Sequence, residues 1–318
     1  MPLSIRLATL NDAESITEVH CSDVNRWYKI VNGRKVEAKY DELTVEDRFR
    51  HGGPWMSVET CAIHLNYMLT SGQYPIIAEL NGKIVGELEL YIGEDRGVLG
   101  KTGFIDILYV HRDFRRRGIG RMLIAKAQEI AVSEGCDTLS VWPEEDAILF
   151  YRKCGLDKVA YRIVNLSIDL KKIEKVHAEY EVLPFPSRYD MLRDFHLITP
   201  RIYSSFAAWL KSRWEIALRS FKIKFFEGYS AYPESAFIIE CWREDKVASI
   251  YLWLKDESYI LDMLCWLLWK AKNMGFMKAC ILINDHVYDY IKNKLPVNML
   301  GNEVILMMKI KEKGYHYS

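Results

Sequence analysis

Two hydrophobic rhythms share this chain, one of period two and one of three to four, and the rhythm that holds locally sets the expected element. Leu3–Ala8 reads as a short strand, and Asn11-Asp12-Ala13-Glu14 opens a helix that runs on through Ile16 and Val19. Arg26–Pro54 is polar and broken at Asn32-Gly33 and at His51-Gly52-Gly53-Pro54, so loops are expected there. Val58–Leu69 follows as a helix. Tyr74–Leu80 and Lys83–Ile92 alternate as strands joined by Asn81-Gly82, a strong two-residue hairpin signal. Gly103–Val110 is β-branched and aromatic, while Met122, Leu123, Ala125, Ile130 and Ala131 recur at helical spacing as far as Gly135. Asp137–Trp142 is the next strand, Glu145–Cys154 a helix closed by Gly155, and Tyr161–Leu170 a strand.

A charged stretch, Lys171-Lys172-Ile173-Glu174-Lys175, then looks like a linker. Beyond it the pattern predicts a strand at Tyr180–Leu183, helices at Tyr189–Phe195 and Tyr203–Ser220, and a strand pair at Ala236–Trp242 and Lys246–Leu254. A helix at Ser258–Met274, a strand at Lys278–Ile283, a short helix at Val287–Lys294 and a strand at Glu303–Ile310 complete the order. Alternating strands and helices make the chain α/β or α+β, and its length allows two domains.

Between the strand ending at Val110 and the following helix stands Arg115-Arg116-Arg117-Gly118-Ile119-Gly120. Such a joint turns unpaired backbone N–H groups and the positive end of a helix dipole toward an anion. The glycines let the backbone come close, and the arginines add positive charge. The spacing is neither a Walker loop nor a dinucleotide fingerprint. The run from Tyr109-Val110-His111-Arg112-Asp113-Phe114 through Gly120 resembles the acetyl-CoA loop of the GNAT superfamily of N-acetyltransferases. Ala147-Ile148-Leu149-Phe150-Tyr151-Arg152-Lys153-Cys154-Gly155-Leu156 resembles that family's later helix.

The resemblance implies a splayed mixed sheet over residues 1–170, with 171–176 as linker. It also implies a second, GNAT-like domain over 177–318 that lacks the CoA loop, because Lys255-Asp256-Glu257-Ser258 stands at the corresponding joint. Two carboxylates there cap the helix and repel a diphosphate.

Acetyl-CoA is thereby the implied co-substrate, held by Leu108, Tyr109, Val110, Arg115, Arg116, Arg117, Gly118, Ile119, Gly120 and Arg121. Tyr151 matches the family tyrosine that protonates the leaving thiolate, a task suited to a phenol whose pKa lies above a thiol's. Asp106, on one strand face with Leu108 and Val110, is the candidate base; Glu87 and Glu89 share a face of the preceding strand and can orient or deprotonate an amine. The family's asparagine before the final helix is replaced here by Trp142-Pro143-Glu144-Glu145-Asp146. The expected acceptor is a small-molecule amine, an amino acid derivative or a protein amine. The alternative is a CoA-binding regulatory or scaffolding protein without turnover.

Composition narrows the partners. With 43 basic and 43 acidic side chains the net charge is zero, which removes any bulk drive toward nucleic acid or anionic membrane. The opening residues do not form a signal peptide, and the apolar run Ile260–Trp269 is too short to cross a bilayer. Seven cysteines without a C-x-x-C pair fit a reducing compartment, so a cytoplasmic monomer or homodimer is expected. His20-Cys21 and the Cys61, His64 pair are metal half-sites that nothing completes, so no metal is expected. Trp209, Trp214, Trp242, Trp253, Trp266 and Trp269 are expected mainly as core.

Overall fold

A computed structural model describes residues 3–176, 178–200, 202–214, 222–242 and 246–310. They divide into two compact units, one built from the described chain up to Ile92 together with Ile105–Cys136, the other from Gly93–Phe104 and the described residues of 137–310.

The first unit begins with strand β1 (Ser4–Leu7) and helix α1 (Ala13–Cys21). A 3₁₀ turn at Leu10–Asp12 leads into this helix, and Asp12 holds it by accepting from the Thr9 N–H (2.7 Å) and hydroxyl (3.0 Å) while pairing with Arg6. A hairpin follows, β2 (Tyr28–Val31) and β3 (Arg34–Glu37), then helices α2 (Val45–Phe49) and α3 (Val58–Thr70). Strands β4 (Tyr74–Leu80), β5 (Lys83–Asp95) and β6 (Gly100–Val110) lead to helix α4 (Ile119–Ser133). The sheet runs β1-β4-β5-β6, with Arg6 opposite Ile77 and Ile77 opposite Glu87.

Both hairpins turn on Asn-Gly with positive φ: 51° and 74° at Asn32-Gly33, 53° and 79° at Asn81-Gly82. The expectation of a loop-rich Arg26–Pro54 is therefore corrected at β2 and β3, which pair as a hairpin. On one sheet face α1 and α3 cover Ile77 and Ile84. On the other, Gly86 lets α4 approach closely, since a Cβ there would lie 3.2 Å from Ile119 and 3.3 Å from Leu123.

The second unit adds β7 (Thr138–Val141), α5 (Ile148–Lys153), β8 (Lys158–Asp169), β9 (His196–Thr199), α6 (Ser205–Trp214), β10 (Lys222–Ala231), β11 (Glu234–Trp242) and β12 (Val247–Leu254). Helix α7 (Ile260–Asn273), β13 (Lys278–Asn284), α8 (Asp285–Ile291) and β14 (Val297–Lys309) complete it. Its strands run β7-β14-β8-β13-β12-β11-β10. The succession β7-α5-β8 recurs as β13-α8-β14, and the two closing strands are exchanged: β14 pairs β7, whereas β8 pairs β13. Beneath them lies an apolar core that includes Trp266, Leu264, Phe237 and Leu252.

Several expectations for this half are corrected. Tyr180–Leu183 makes only a single bridge, Leu183 to Tyr229, and Tyr189–Phe195 contains a 3₁₀ turn at Tyr189–Leu192 rather than an α-helix. Strands β9 and β10 are additional. Of the helix expected over Tyr203–Ser220, Ser205–Trp214 is helical and 215–220 lie outside the described residues. Trp253 and Trp266 are buried as expected of core tryptophans. No helix among the described residues is long and apolar enough to cross a membrane.

Candidate active site

Strand β6 leaves the sheet after Val110, and the His111 N–H donates to the Val85 carbonyl at 2.9 Å. A 3₁₀ turn at Arg112–Phe114 follows, then a tight bend in which Arg116 (φ 63°) and Gly118 (φ 85°) take left-handed conformations. Nothing crowds a Cβ at Gly118; glycine is needed there for its backbone angle, whereas Arg116 carries the strain of that region. The first helical bonds of α4 run from the Arg121 and Met122 N–H groups to the Gly118 carbonyl, at 3.1 and 3.2 Å. The N–H groups of Gly118, Ile119 and Gly120 therefore have no intrahelical acceptor. Ile119 is buried and anchors the joint, while Arg115, Arg116, Arg117, Gly118 and Arg121 are exposed.

Neighbouring arginines differ in their engagement. Arg115 pairs with Asp23 and donates from Nε to the Val110 carbonyl at 3.0 Å; Arg117 donates to the Asp113 carbonyl at 3.0 Å and lies over the Phe114 ring. Arg116 has no side-chain partner among the described residues.

The end of β6 divides its side chains. Ile107 and Tyr109 pack toward α1 and α3, so strand alternation turns Leu108 and Val110 the other way; Asp106 is half-buried, and its charge is felt at Tyr91. At the start of the strand Thr102 meets Thr138 (2.9 Å) and Ser140 (2.8 Å) of β7.

Glu87 and Glu89 project toward α1 and α3 and are wholly buried, at 1% and 0% exposure. The Nε2 of His20, on α1, lies 2.6 Å from Glu87, and that of His64, on α3, lies 2.6 Å from Glu89. The Trp55 indole N–H donates to Glu89 at 2.7 Å and the Tyr91 hydroxyl at 3.3 Å. His20 is stacked between Trp55 and Tyr109, with centroids at 5.3 and 4.5 Å. Burial raises the Glu87 carboxyl above its ordinary range although His20 opposes this, and burial beside the Glu89 and Asp106 charges raises Tyr91 well above an ordinary phenol.

His20 and His64 are thus partners of carboxylates, roles the sequence reading did not assign. Both lie on the buried stripe of their helices, His20 four residues after Ile16 and His64 three after Cys61. Tyr151, on α5 in the second unit, is 6% exposed and meets Phe150 edge-on at 5.2 Å.

The joint between β12 and α7 is built differently. Asp256 accepts from the Ser258 N–H at 2.9 Å, a bond that lowers its pKa, and Glu257 lies 3.7 Å from His196. Beside it, β12 and β13 pair in parallel only over Val247–Ser249. From Leu252 to Leu254 that edge of β12 is taken by β9, while β11 holds the other edge.

Residues 38–156, which include both the arginine-glycine loop and Tyr151, match the model of the acetyltransferase (GNAT) family. A stretch of 71 residues, 22% of this chain, is 37% identical to an acetyltransferase of Pectobacterium atrosepticum and covers 46% of it, so the chain spans about half the length of the curated relatives it matches. Among solved structures, a GCN5-related N-acetyltransferase of Anabaena variabilis superposes with a TM-score of 0.61 at 11% identity, over 98% of this chain and 73% of the other. One from Kribbella flavida gives 0.59 at 10%, over 97% and 72%. At such identities these two likenesses establish the fold. Residues 38–156 of this chain therefore carry a GNAT acetyltransferase family domain.

Proposed function

We propose that the protein transfers the acetyl group of acetyl-CoA to a primary amine, at one site per chain. The observation that carries this reading is the joint at Gly118: free backbone N–H groups at the start of α4, ringed by arginines, inside the family-matched segment. The edge of β6 at Leu108 and Val110 suits the extended arm of the cofactor, whose amides can pair with backbone as a strand would. In the reaction the amine nitrogen attacks the thioester carbonyl carbon, the C–S bond breaks, and a backbone N–H of β6 holds the oxygen as it gains charge. Asp106 takes the proton from the nitrogen and Tyr151 gives one to the departing sulfur. Glu87 and Glu89, enclosed with their histidines, support the sheet under this site.

The C-terminal half, 177–318 beyond a linker at 171–176, is in this reading a GNAT-like domain without a cofactor. Three features support it: the recurrence of β7-α5-β8 as β13-α8-β14, the carboxylate cap at Asp256, and the occupation of the β12 edge by β9.

The test is calorimetric titration with CoA, followed by release of free thiol from acetyl-CoA with polyamine, amino acid, peptide N-terminal and lysine acceptors. Binding with thiol release is expected, and Tyr151→Phe should lower kcat about 100-fold with acetyl-CoA affinity retained. Binding without turnover on any amine class would favour the regulatory alternative, and no CoA binding would end the reading.

A further inference from the structure

The connector after α1 grips the arginine-glycine joint at several points. The Ser22 hydroxyl accepts from the Arg112 N–H at 3.1 Å, and Asn25 accepts from the Arg112 guanidinium at 2.9 Å. Asp23 does more, accepting the Tyr109 hydroxyl at 2.5 Å while pairing with Arg115. The Arg115 guanidinium also lies 5.6 Å from the centre of the Tyr109 ring and returns to the Val110 carbonyl. Tyr109 in turn is stacked on His20.

An isolated ion pair as exposed as Arg115 and Asp23 contributes little. Here each partner has a second, fixed bond, so the pair determines where the side chains stand rather than adding much stability. Partial burial disfavours the Asp23 charge, yet the bonds from Tyr109 and Arg115 and the charges of Arg115 and Arg112 outweigh it and hold the carboxyl below its ordinary range. Asp23 is thus an anion throughout the neutral range. Its presence two bonds from a loop that would bind phosphates is otherwise unfavourable, because it cancels one of the positive charges gathered there.

We propose that Arg115 and Asp23 form a brace that shapes the diphosphate loop, and that Arg116, not Arg115, supplies the side-chain charge felt by the cofactor's phosphates. This rests on the CoA-binding reading above and assigns a division of labour within its arginines. Arg116 is fit for that role because its left-handed backbone sets its side chain apart from those of its two neighbours, both tied back to the protein. Asp23 and Arg115 are positioning residues, acting on the ligand through the loop.

The proposal makes a prediction opposite in sign to simple electrostatics. Removing the Asp23 charge should tighten binding of an anionic ligand if Arg115 is a phosphate ligand waiting to be released, and weaken it if the pair is a brace. The experiment is CoA titration of the full chain at several salt concentrations, with Asp23→Asn, Arg115→Gln, their double variant, Arg116→Gln and Tyr109→Phe, each checked for an unchanged melting temperature. Asp23→Asn and Arg115→Gln should each weaken CoA about tenfold, the double variant should be no worse than either, and the salt dependence should stay that of the parent. Tyr109→Phe should weaken it about threefold, and Arg116→Gln should weaken it and flatten the salt dependence. Tighter binding by Asp23→Asn, additive losses in the double variant, or a flattened salt dependence in Arg115→Gln would each overturn the proposal. A parent chain that binds no CoA would instead remove the reading beneath it.

Discussion

Two strand-to-helix joints of this chain have opposite chemistry. At β6 to α4 a left-handed glycine leaves the first N–H groups of the helix uncapped and arginines surround them. At β12 to α7 Asp256 accepts from the Ser258 N–H and caps the 3₁₀ turn Glu257–Tyr259 that leads into the helix. The edge of β12 beside its joint is taken by β9, from Leu252 to Leu254. The cores differ too. Below β5 lie two carboxylates and two imidazoles, and below β12 the packing is aliphatic and aromatic. A helix start can bind an anion or be self-sufficient, and one residue at the cap decides which.

This contrast can be broken at four places. The largest effect is expected in the buried cluster, where Glu87→Ala leaves His20 without its carboxylate and should cost about 3–5 kcal/mol in denaturant unfolding. Replacing both Glu87 and His20 with leucine should recover most of that loss, because a buried pair of this kind is no better for stability than apolar packing. Next, Gly118→Asp carries the chemistry of the second joint into the first. Strain at positive φ together with a negative charge should weaken CoA at least 100-fold in calorimetry, and undiminished affinity would disprove the cradle.

A smaller effect comes from Asp12, which the Arg6 bond, acting against burial, lowers to about 2. Its contribution is present in full above the unfolded value near 4 and disappears as pH falls through about 2. Because Arg6 is 40% exposed, Asp12→Asn should remove only about 1 kcal/mol at pH 7 and flatten the acid limb of the stability curve. The smallest effect is expected from Asp256→Ala: uncapping the 3₁₀ turn before α7 should leave CoA affinity within about twofold of the parent, since β9 still covers the neighbouring edge. A second CoA equivalent bound by that variant would show the cap alone to be the barrier.

The first joint was legible because its signal is local. Strand, glycine pair and amphipathic helix follow one another within a few tens of residues, and glycine at 118 has a backbone reason that sequence preserves. The imidazole partners were not legible in the same way, since His20 and His64 stand 67 and 25 residues from their carboxylates and only the fold brings them together. Each nevertheless left a trace, a polar ring on an otherwise apolar helix stripe. Asn32-Gly33 carries the same turn signal as Asn81-Gly82, but no buried alternation marks the strands it joins; β3 is exposed at all four positions. In the second half, β9 has four residues and its pairing is long-range, so nothing nearby marks it as a strand. Of the two carboxylates expected to cap α7, Asp256 instead caps the 3₁₀ turn Glu257–Tyr259 before it, and Glu257 faces His196.

The exchange of β8 and β14 has a bearing on time as well as on form. Thr138–Val141 gains its partner in β14 only once Leu306–Lys309 has been made, and β8, lying between β14 and β13, is likewise flanked on both sides by strands synthesised long after it. Pairings so distant in sequence are slow to form, because a long loop must close before any bond repays it. During synthesis β7 and β8 therefore wait with open edges, and the step that commits the second unit is the arrival of β14 between them.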